Sequence, residues 1–266
     1  MITSKSEFMG DTTVTSNRSL SSSYNLLTLQ LPRTDGWEDA VFTPGCFAEV
    51  ATPAPGVLLR RPSSVSAWDK ASGTIELLVQ AVGKGSRYLA ELQQGQPLNI
   101  IAPLGHGFTT DPKQVGDKPL LIAGGVGVAP IRFLANTLAE LGLRPYILQG
   151  ARTKDLLVLR EELNGAGTLL LTTDDGSEGE RGTVLDHSIL KEETFSSVFV
   201  CGPHPMMKAV AQHFTSFSSL PVEVSLENKM ACGIGACLCC VTNTIEGKNV
   251  RVCTQGPVFD ARTISW

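Results

Sequence analysis

The sequence contains no run of five or more basic residues, and its acidic residues outnumber its basic ones, 26 to 22. Proteins that grip nucleic acid carry a basic patch or stripe, so no nucleic-acid partner is expected. No apolar stretch approaches the roughly 20 residues that a membrane-spanning helix needs, so no membrane association is expected either. The polar segment from Met1 to Thr13 lacks the apolar core of a secretory signal, and residues 1–12 are expected to form a flexible tail. Internal repeats are absent, and Ser19 to Ser23 is the one biased patch.

Cysteine, by contrast, is concentrated. Five of the seven cysteines lie between Cys232 and Cys253. A disulfide framework would spread its cysteines to tie distant loops together. Clustering without an export signal points instead to a metal site in a reducing compartment, the cytoplasm. The run Cys232-x4-Cys237-x2-Cys240, followed by Cys253, has the plant-type [2Fe–2S] spacing. Gly233 and Gly235 would let the loop wrap inorganic sulfur and aim N–H groups at it. Structural zinc prefers C-x2-C pairs, and only Cys237 and Cys240 have that form; a zinc-stabilised interaction module is the alternative from another class. Cys239 and Cys46 read as small packed thiols.

The 266 residues are enough for one large domain or two ordinary ones. Over residues 13–112, short alternating runs (Asn25 to Leu31, Phe47 to Val50, Thr74 to Val79, Leu98 to Ile101) suggest an antiparallel sandwich or barrel. One helix is expected there, from Ser86 to Gln93. A polar linker follows, Thr109 to Asp117. Over residues 113–227 strands and helices alternate, which implies a parallel sheet covered on both faces. Helices are expected over Ile131 to Leu141, Asp155 to Leu163 and Met206 to Phe214. Residues 228–266 are too few for an independent core and are expected to depend on a metal.

Two strand ends run into glycine turns. Leu120 to Ala123 leads into Gly124-Gly125-Val126-Gly127, with Pro130 in the first helical turn, where its missing N–H costs nothing. Glycines let backbone approach a pyrophosphate, and the helix N-terminus favours negative charge. Val198 to Cys201 leads into Gly202-Pro203. In a parallel sheet both turns fall at the carboxyl edge, where ligands bind. Asp174 and Asp175 could accept ribose hydroxyls and favour NAD, whereas Arg152 could meet a 2′-phosphate. Farther upstream, Arg61-Pro62-Ser63-Ser64 sits at the end of a strand expected from Leu58, and Gly85-Ser86 opens a helix. Arginine and a helix N-terminus both suit phosphate.

The order of Arg61-Pro62-Ser63-Ser64, Gly85-Ser86, Gly124 to Pro130 and Cys201-Gly202-Pro203 resembles the ferredoxin reductase superfamily. With the Cys232 to Cys253 module added, the chain is similar to the electron-transfer subunit of type B dihydroorotate dehydrogenase. That resemblance implies a β-barrel that binds FAD, an α/β domain that binds NAD and a small [2Fe–2S] module. Arg61 would contact the FAD phosphates. Ser64, beside Pro62 and Ser63, would contact the isoalloxazine, and Gly85 and Ser86 the pyrophosphate. Gly125, Gly127 and Pro130 would line the dinucleotide site. Cys201, the implied catalytic residue, and Gly202 would meet the nicotinamide. Cys232, Cys237, Cys240 and Cys253 would ligate the cluster. The implied partner is an FMN-containing catalytic subunit, a dihydroorotate dehydrogenase, in a heterotetramer. Electrons would pass through FMN, cluster and FAD to NAD⁺. The alternative within the same group is a related NAD(P)H-linked electron-transfer subunit of a hydrogenase, a sulfide dehydrogenase or a ferredoxin–NADP transhydrogenase. The broad superfamily has Arg-x-Tyr-Ser where this chain has Pro62-Ser63, so no aromatic stands there to stack on a flavin.

Overall fold

The computed structural model describes residues 8–33, 37–215 and 220–266. Six antiparallel strands close into a barrel: β1 (Phe8–Ser19), β2 (Tyr24–Gln30), β3 (Phe47–Val50), β4 (Arg61–Asp69), β5 (Thr74–Gln80) and β6 (Pro97–Leu104), in the order β1-β2-β5-β4-β3-β6. Helix α1 (Lys84–Glu91) lies between β5 and β6. The alternation that sets the barrel serves two cores. Leu27 and Leu29 of β2 point into the barrel, while Tyr24 and Leu26 join the core of the next domain. Strands buried on both faces read as nearly continuous apolar runs.

Helix α2 (Pro112–Val115) leads into a seven-stranded sheet. Its strands are β7 (Pro119–Gly124), β8 (Tyr146–Ala151), β9 (Thr168–Thr173), β10 (Glu180–Arg181), β11 (Ser197–Cys201), β12 (Val222–Ser225) and, from the C-terminal region, β15 (Val258–Asp260). The order is β10-β9-β8-β7-β11-β12-β15, parallel except for β15. Helices α3 (Val128–Glu140), α4 (Arg160–Ala166), α5 (Ile189–Glu192) and α6 (His204–Thr215) connect its strands. The hairpin β13 (Val241–Asn243) and β14 (Asn249–Arg251) and helix α7 (Val252–Gln255) follow the cysteine loop. Among the described residues no helix is long and apolar enough to cross a membrane.

Several expectations are corrected. Residues 1–7 of the expected tail lie outside the described residues, but Phe8 to Thr12 is strand, paired with β6 from Ala102 to Leu98. The Thr12 hydroxyl donates to the Leu98 carbonyl at 2.8 Å, a buried bond that fixes the register. The Asp155 to Leu163 helix is broken into a 3₁₀ turn, Lys154–Leu156, and α4. Between them Leu157, Val158 and Leu159 are all buried. A helix with one buried stripe does not bury three consecutive side chains; Val158 and Leu159 join the core shared with α3, and Leu159 adopts a positive φ of 62°. Arg61 begins β4 rather than ending a strand from Leu58, and Leu58 is exposed. The expected linker contains α2, whose Lys113 N–H donates to the Asp111 carboxylate at 3.0 Å.

The cysteine region is not a separate body. Strand β15 pairs antiparallel with β12. Cys240, Val252, Cys253, Ala261 and Ile264 pack in one cluster with Val198, Val200, Val222 and Val224 of the sheet.

Gly127 shows why the first turn needs glycine at its end. A Cβ there would lie 2.4 Å from the carbonyl carbon and oxygen of Cys201 and 2.6 Å from the Gly202 nitrogen. Backbone cannot yield as a side-chain tip can, so Gly127→Ala should cost about 1–3 kcal/mol through overpacking. A urea melt should show a lower midpoint at an unchanged slope; an unchanged midpoint would contradict this account.

Candidate functional site

A cavity of about 410 Å³ opens between the barrel and the start of the cysteine region. Arg61, Pro62, Ser63 and Ser64 of β4 and Gly85 and Ser86 of α1 all line it. The barrel thus brings together six candidate residues from two segments some twenty residues apart. Gly85 is needed for closeness: a Cβ there would lie 2.8 Å from Arg61 Nε and 3.2 Å from Thr52 Oγ1. Arg61 donates to the carbonyls of Leu59 at 2.8 Å and Arg60 at 3.1 Å. The Ser86 hydroxyl accepts from the N–H groups of Val82 and Gly83 at 3.1 and 3.0 Å and donates to the Gly83 carbonyl at 3.2 Å. It shapes the start of α1. An arginine folded onto a glycine at a helix start is a donor set that fits a phosphate.

The far wall comes from Val126 of the glycine turn and from Ser225 to Asn228, with Met230 beyond. The other nucleotide candidates do not line this cavity. Gly125, Gly127 and Pro130 stand at and just after the carboxyl end of β7, and Gly202 just after that of β11. Gly202 packs backbone to backbone, its Cβ position 3.0 Å from the nitrogen and oxygen of Gly124. Cys201 is wholly buried. Burial pushes its thiol well up, the charge of Glu227 adds to this, and a hydrogen bond with Ser225 partly offsets both. Arg152, Asp174 and Asp175 are exposed around the ends of β8 and β9. Asp175 already accepts from the Ser177 hydroxyl at 2.6 Å and its N–H at 3.0 Å.

Two residues at this junction carried no motif in the sequence. Tyr24 is buried with its hydroxyl 3.7 Å from the Cβ position of Gly125. Burial, with Glu227 adding, pushes it up to about 12. Glu227 is the one carboxylate lining the cavity among the described residues, and burial raises it. No spacing rule marks a glutamate two residues past a strand.

The cysteine loop follows directly. Gly233 and Gly235 have φ of +71° and +80°, the left-handed region that glycine enters freely. The thiols fall into two pairs. The Cys237 N–H donates to Cys232 Sγ at 3.4 Å, and the Cys253 N–H donates to Cys240 Sγ at 3.4 Å. Cys240 and Cys253 are buried, Cys232 is half-buried and Cys237 is exposed. Among the described residues no three Cys, His, Asp or Glu side chains converge as a single ion requires. Two pairs suit a cluster of two irons with two thiolates each. Burial acts to raise the Cys232 thiol, but N–H groups of Cys237, Ile234 and Ala236 outweigh it and bring it down to about 7. Amides aimed at sulfur favour thiolate. Cys253 is pushed up to about 12 by burial and the neighbouring Cys240. Cys239 is exposed, not packed as expected; its N–H donates to Cys237 Sγ at 3.5 Å. Cys46 is buried in the barrel.

Three family profiles match the chain in sequence. Residues 11–108 match an oxidoreductase FAD-binding domain, residues 121–212 an oxidoreductase NAD-binding domain, and residues 227–265 the iron–sulfur cluster binding domain of dihydroorotate dehydrogenase B. Together they define an FAD- and NAD-linked oxidoreductase with an iron–sulfur module. The dihydroorotate dehydrogenase B (NAD⁺) electron transfer subunit of Bacillus caldolyticus is 37% identical over 221 residues, 82% of this chain and 85% of that protein. The subunit of the same name from Streptococcus pneumoniae is 37% identical over 222 residues, 83% and 86% of the two. The chain belongs to this family of electron transfer subunits. It also superimposes on a solved structure of an NADH-dependent reduced ferredoxin–NADP oxidoreductase with a TM-score of 0.85 and 27% identity, covering 96% of this chain and 90% of that one.

Glu49 lies beneath the loop. It is fully buried on β3, and both its carboxylate oxygens lack a hydrogen-bond partner. A Cβ on Gly233 would fall 2.6 Å from its Cγ. Burial lifts its carboxyl from 4.5 to about 7, with Cys232 adding and Arg60 and Arg61 opposing. The folded protein therefore holds a proton that the unfolded chain releases between about pH 4.5 and 7, and stability falls as pH rises through that window. Glu49→Gln should flatten this slope and gain on the order of 3 kcal/mol at pH 8. Denaturant melts from pH 4 to 8 check it; parallel wild-type and variant profiles would refute it.

Proposed function

We propose that this chain carries electrons between a partner dehydrogenase and a nicotinamide nucleotide through a [2Fe–2S] cluster and FAD. The observation that carries this reading is the place of Met230. It lines the flavin cavity and stands two residues before Cys232, so cavity wall and cysteine loop are one stretch of backbone. Cys237, in the same loop, is exposed. Flavin exchanges hydride with nicotinamide and single electrons with iron–sulfur centres, which makes it the converter between them.

The chain's own residues bind and orient. Arg61 with Gly85 and Ser86 would hold the FAD phosphates, and Pro62, Ser63 and Ser64 would border the ring. Gly125, Gly127 and Pro130 would receive the dinucleotide, with Cys201 and Gly202 at the nicotinamide end. Cys232 with Cys237, and Cys240 with Cys253, would each hold one iron. The buried Cys201 thiol would shape its pocket and keep its proton.

The partner proposed is an FMN-containing dihydroorotate dehydrogenase catalytic subunit, docked where Cys237 reaches the surface. Electrons would run from dihydroorotate to NAD⁺ in the cytoplasm, a reducing compartment that suits a cluster of thiolate ligands. A second reading is a subunit working between ferredoxin and NADP. Its support is the near full-length match to the reduced ferredoxin–NADP oxidoreductase.

The test is to purify the chain with whatever accompanies it. Flavin and iron–sulfur absorption, with iron and acid-labile sulfide in equal amounts, is expected, together with dihydroorotate-dependent reduction of NAD⁺. A colourless, zinc-containing protein would overturn the whole reading. Coloured protein that turns over reduced ferredoxin and NADP, and not dihydroorotate, would select the second. Cys237→Ser should leave FAD reduction by NADH intact and block onward transfer; if both persist, Cys237 is not a ligand.

A further inference from the structure

Helix α3 starts beside the glycine turn of residues 124–127 and packs against the outer wall of the barrel. Two successive residues make the link. Phe133 buries its ring in the barrel core. Arg132, itself buried, sends Nη1 to two barrel strands: it pairs with the Glu76 carboxylate of β5 and donates to the Ser66 hydroxyl of β4 at 3.3 Å. Its Nε makes no hydrogen bond.

The barrel is built to receive this side chain. Strands β4 and β5 pair at Val65–Leu77 and again at Ala67–Glu76, with Ser66 as an extra residue between. A bulge of this kind re-aims a side chain. Here the fully buried Ser66 and the strand partner Glu76 meet the same guanidinium. On β4, Ser63 and Ser64 lie three and two residues upstream and line the flavin cavity. At the other end of the link, Val126 of the glycine turn lines the same cavity. One guanidinium therefore ties the strand that bears the flavin-side hydroxyls to the helix that follows the nucleotide turn. Apolar contact through Phe133 is non-directional and tolerates sliding. Directed bonds from a planar guanidinium do not.

We propose that Arg132 is a positioning residue that sets the approach of the nicotinamide to the flavin, an inference that rests on the functional reading above. In the reverse of that flow from dihydroorotate to NAD⁺, NADH would give a hydride to FAD, leaving NAD⁺ and FADH⁻, and this half-reaction reports the same approach. Such transfers need reacting atoms about 3–3.5 Å apart, and a misplacement of about 1 Å can cost on the order of a hundredfold in rate. Arg132 lies outside the cavity lining, so its influence passes through β4 and α3.

The test compares Arg132→Met, Arg132→Lys, Glu76→Gln and Ser66→Ala with the wild type, each as the full chain with FAD and cluster loaded. In Arg132→Met, FAD content, iron content and the NADH dissociation constant should stay within about twofold, while the anaerobic rate of FAD reduction falls at least about tenfold. The long-wavelength absorbance of nicotinamide stacked on flavin should weaken in parallel. Arg132→Lys, which keeps the charge and a donor nitrogen but loses the planar guanidinium, should recover part of both. Wild-type rate and absorbance in Arg132→Met would overturn the proposal, as would a rate loss that merely follows lost FAD or weaker NADH binding. If Arg132→Met fails to fold, Glu76→Gln and Ser66→Ala decide the matter from the barrel side by the same criteria. A wild-type protein whose bound FAD is not reduced by NADH overturns the functional reading itself, and this is seen before any variant is compared.

Discussion

Along β3, Ala48 and Val50 point into the barrel while Phe47 and Glu49 point out of it, and all four are buried. The same double burial holds for β2, where Leu27 and Leu29 fill the barrel and Tyr24 and Leu26 meet the parallel sheet. This constraint places everything else. A barrel wall covered on its outer side must have something to cover it, and here the cover is the parallel-sheet domain with its cysteine region. The cavity is the gap left where the two surfaces meet, and the glycine turn and the start of the cysteine region both reach its lining.

Electrostatics at that margin follow from the same burial. Tyr24, Cys201, Glu227 and Glu49 are all shifted toward their neutral forms, burial being the largest cause in each case. Cys232 goes the other way because backbone amides converge on it. The junction is thus poor in fixed negative charge, with Cys232 as the exception. Two negatively charged cofactors and a cluster of thiolates can share such a region with less mutual repulsion.

Much of this could be read from residues alone because local patterns were strong. Alternation in β2, β3 and β5, the glycine turn after Leu120 to Ala123, and the spacing from Cys232 to Cys253 each reflect rules that act over a few residues. The missed features depend on partners far away in sequence. Phe8 to Thr12 looks like tail until β6 offers an edge to pair with. Leu157 to Leu159 reads as helix until all three side chains are buried, Val158 and Leu159 within the core shared with α3. Tyr24 and Glu227 belong to no motif; they matter because β2 passes under a turn a hundred residues later and because the chain leaves β12 along the cavity wall. Cys239 was expected to be a packed thiol, and its exposure could not be read from composition.

Strand β15 also changes what kind of object the cysteine region is. It follows Cys253 in sequence and closes the open side of β12. The loop is therefore an insertion between a sheet and its own last strand, not an appendix to a finished domain. A chain cut before Cys232 would lose the five clustered thiols and would also bare the N–H and C=O row of β12, the kind of edge that invites aggregation. For anyone recombining such proteins, the exchangeable unit runs from the cavity wall to the end of β15, and the flavin half cannot be trimmed to a simpler reductase at the cysteines.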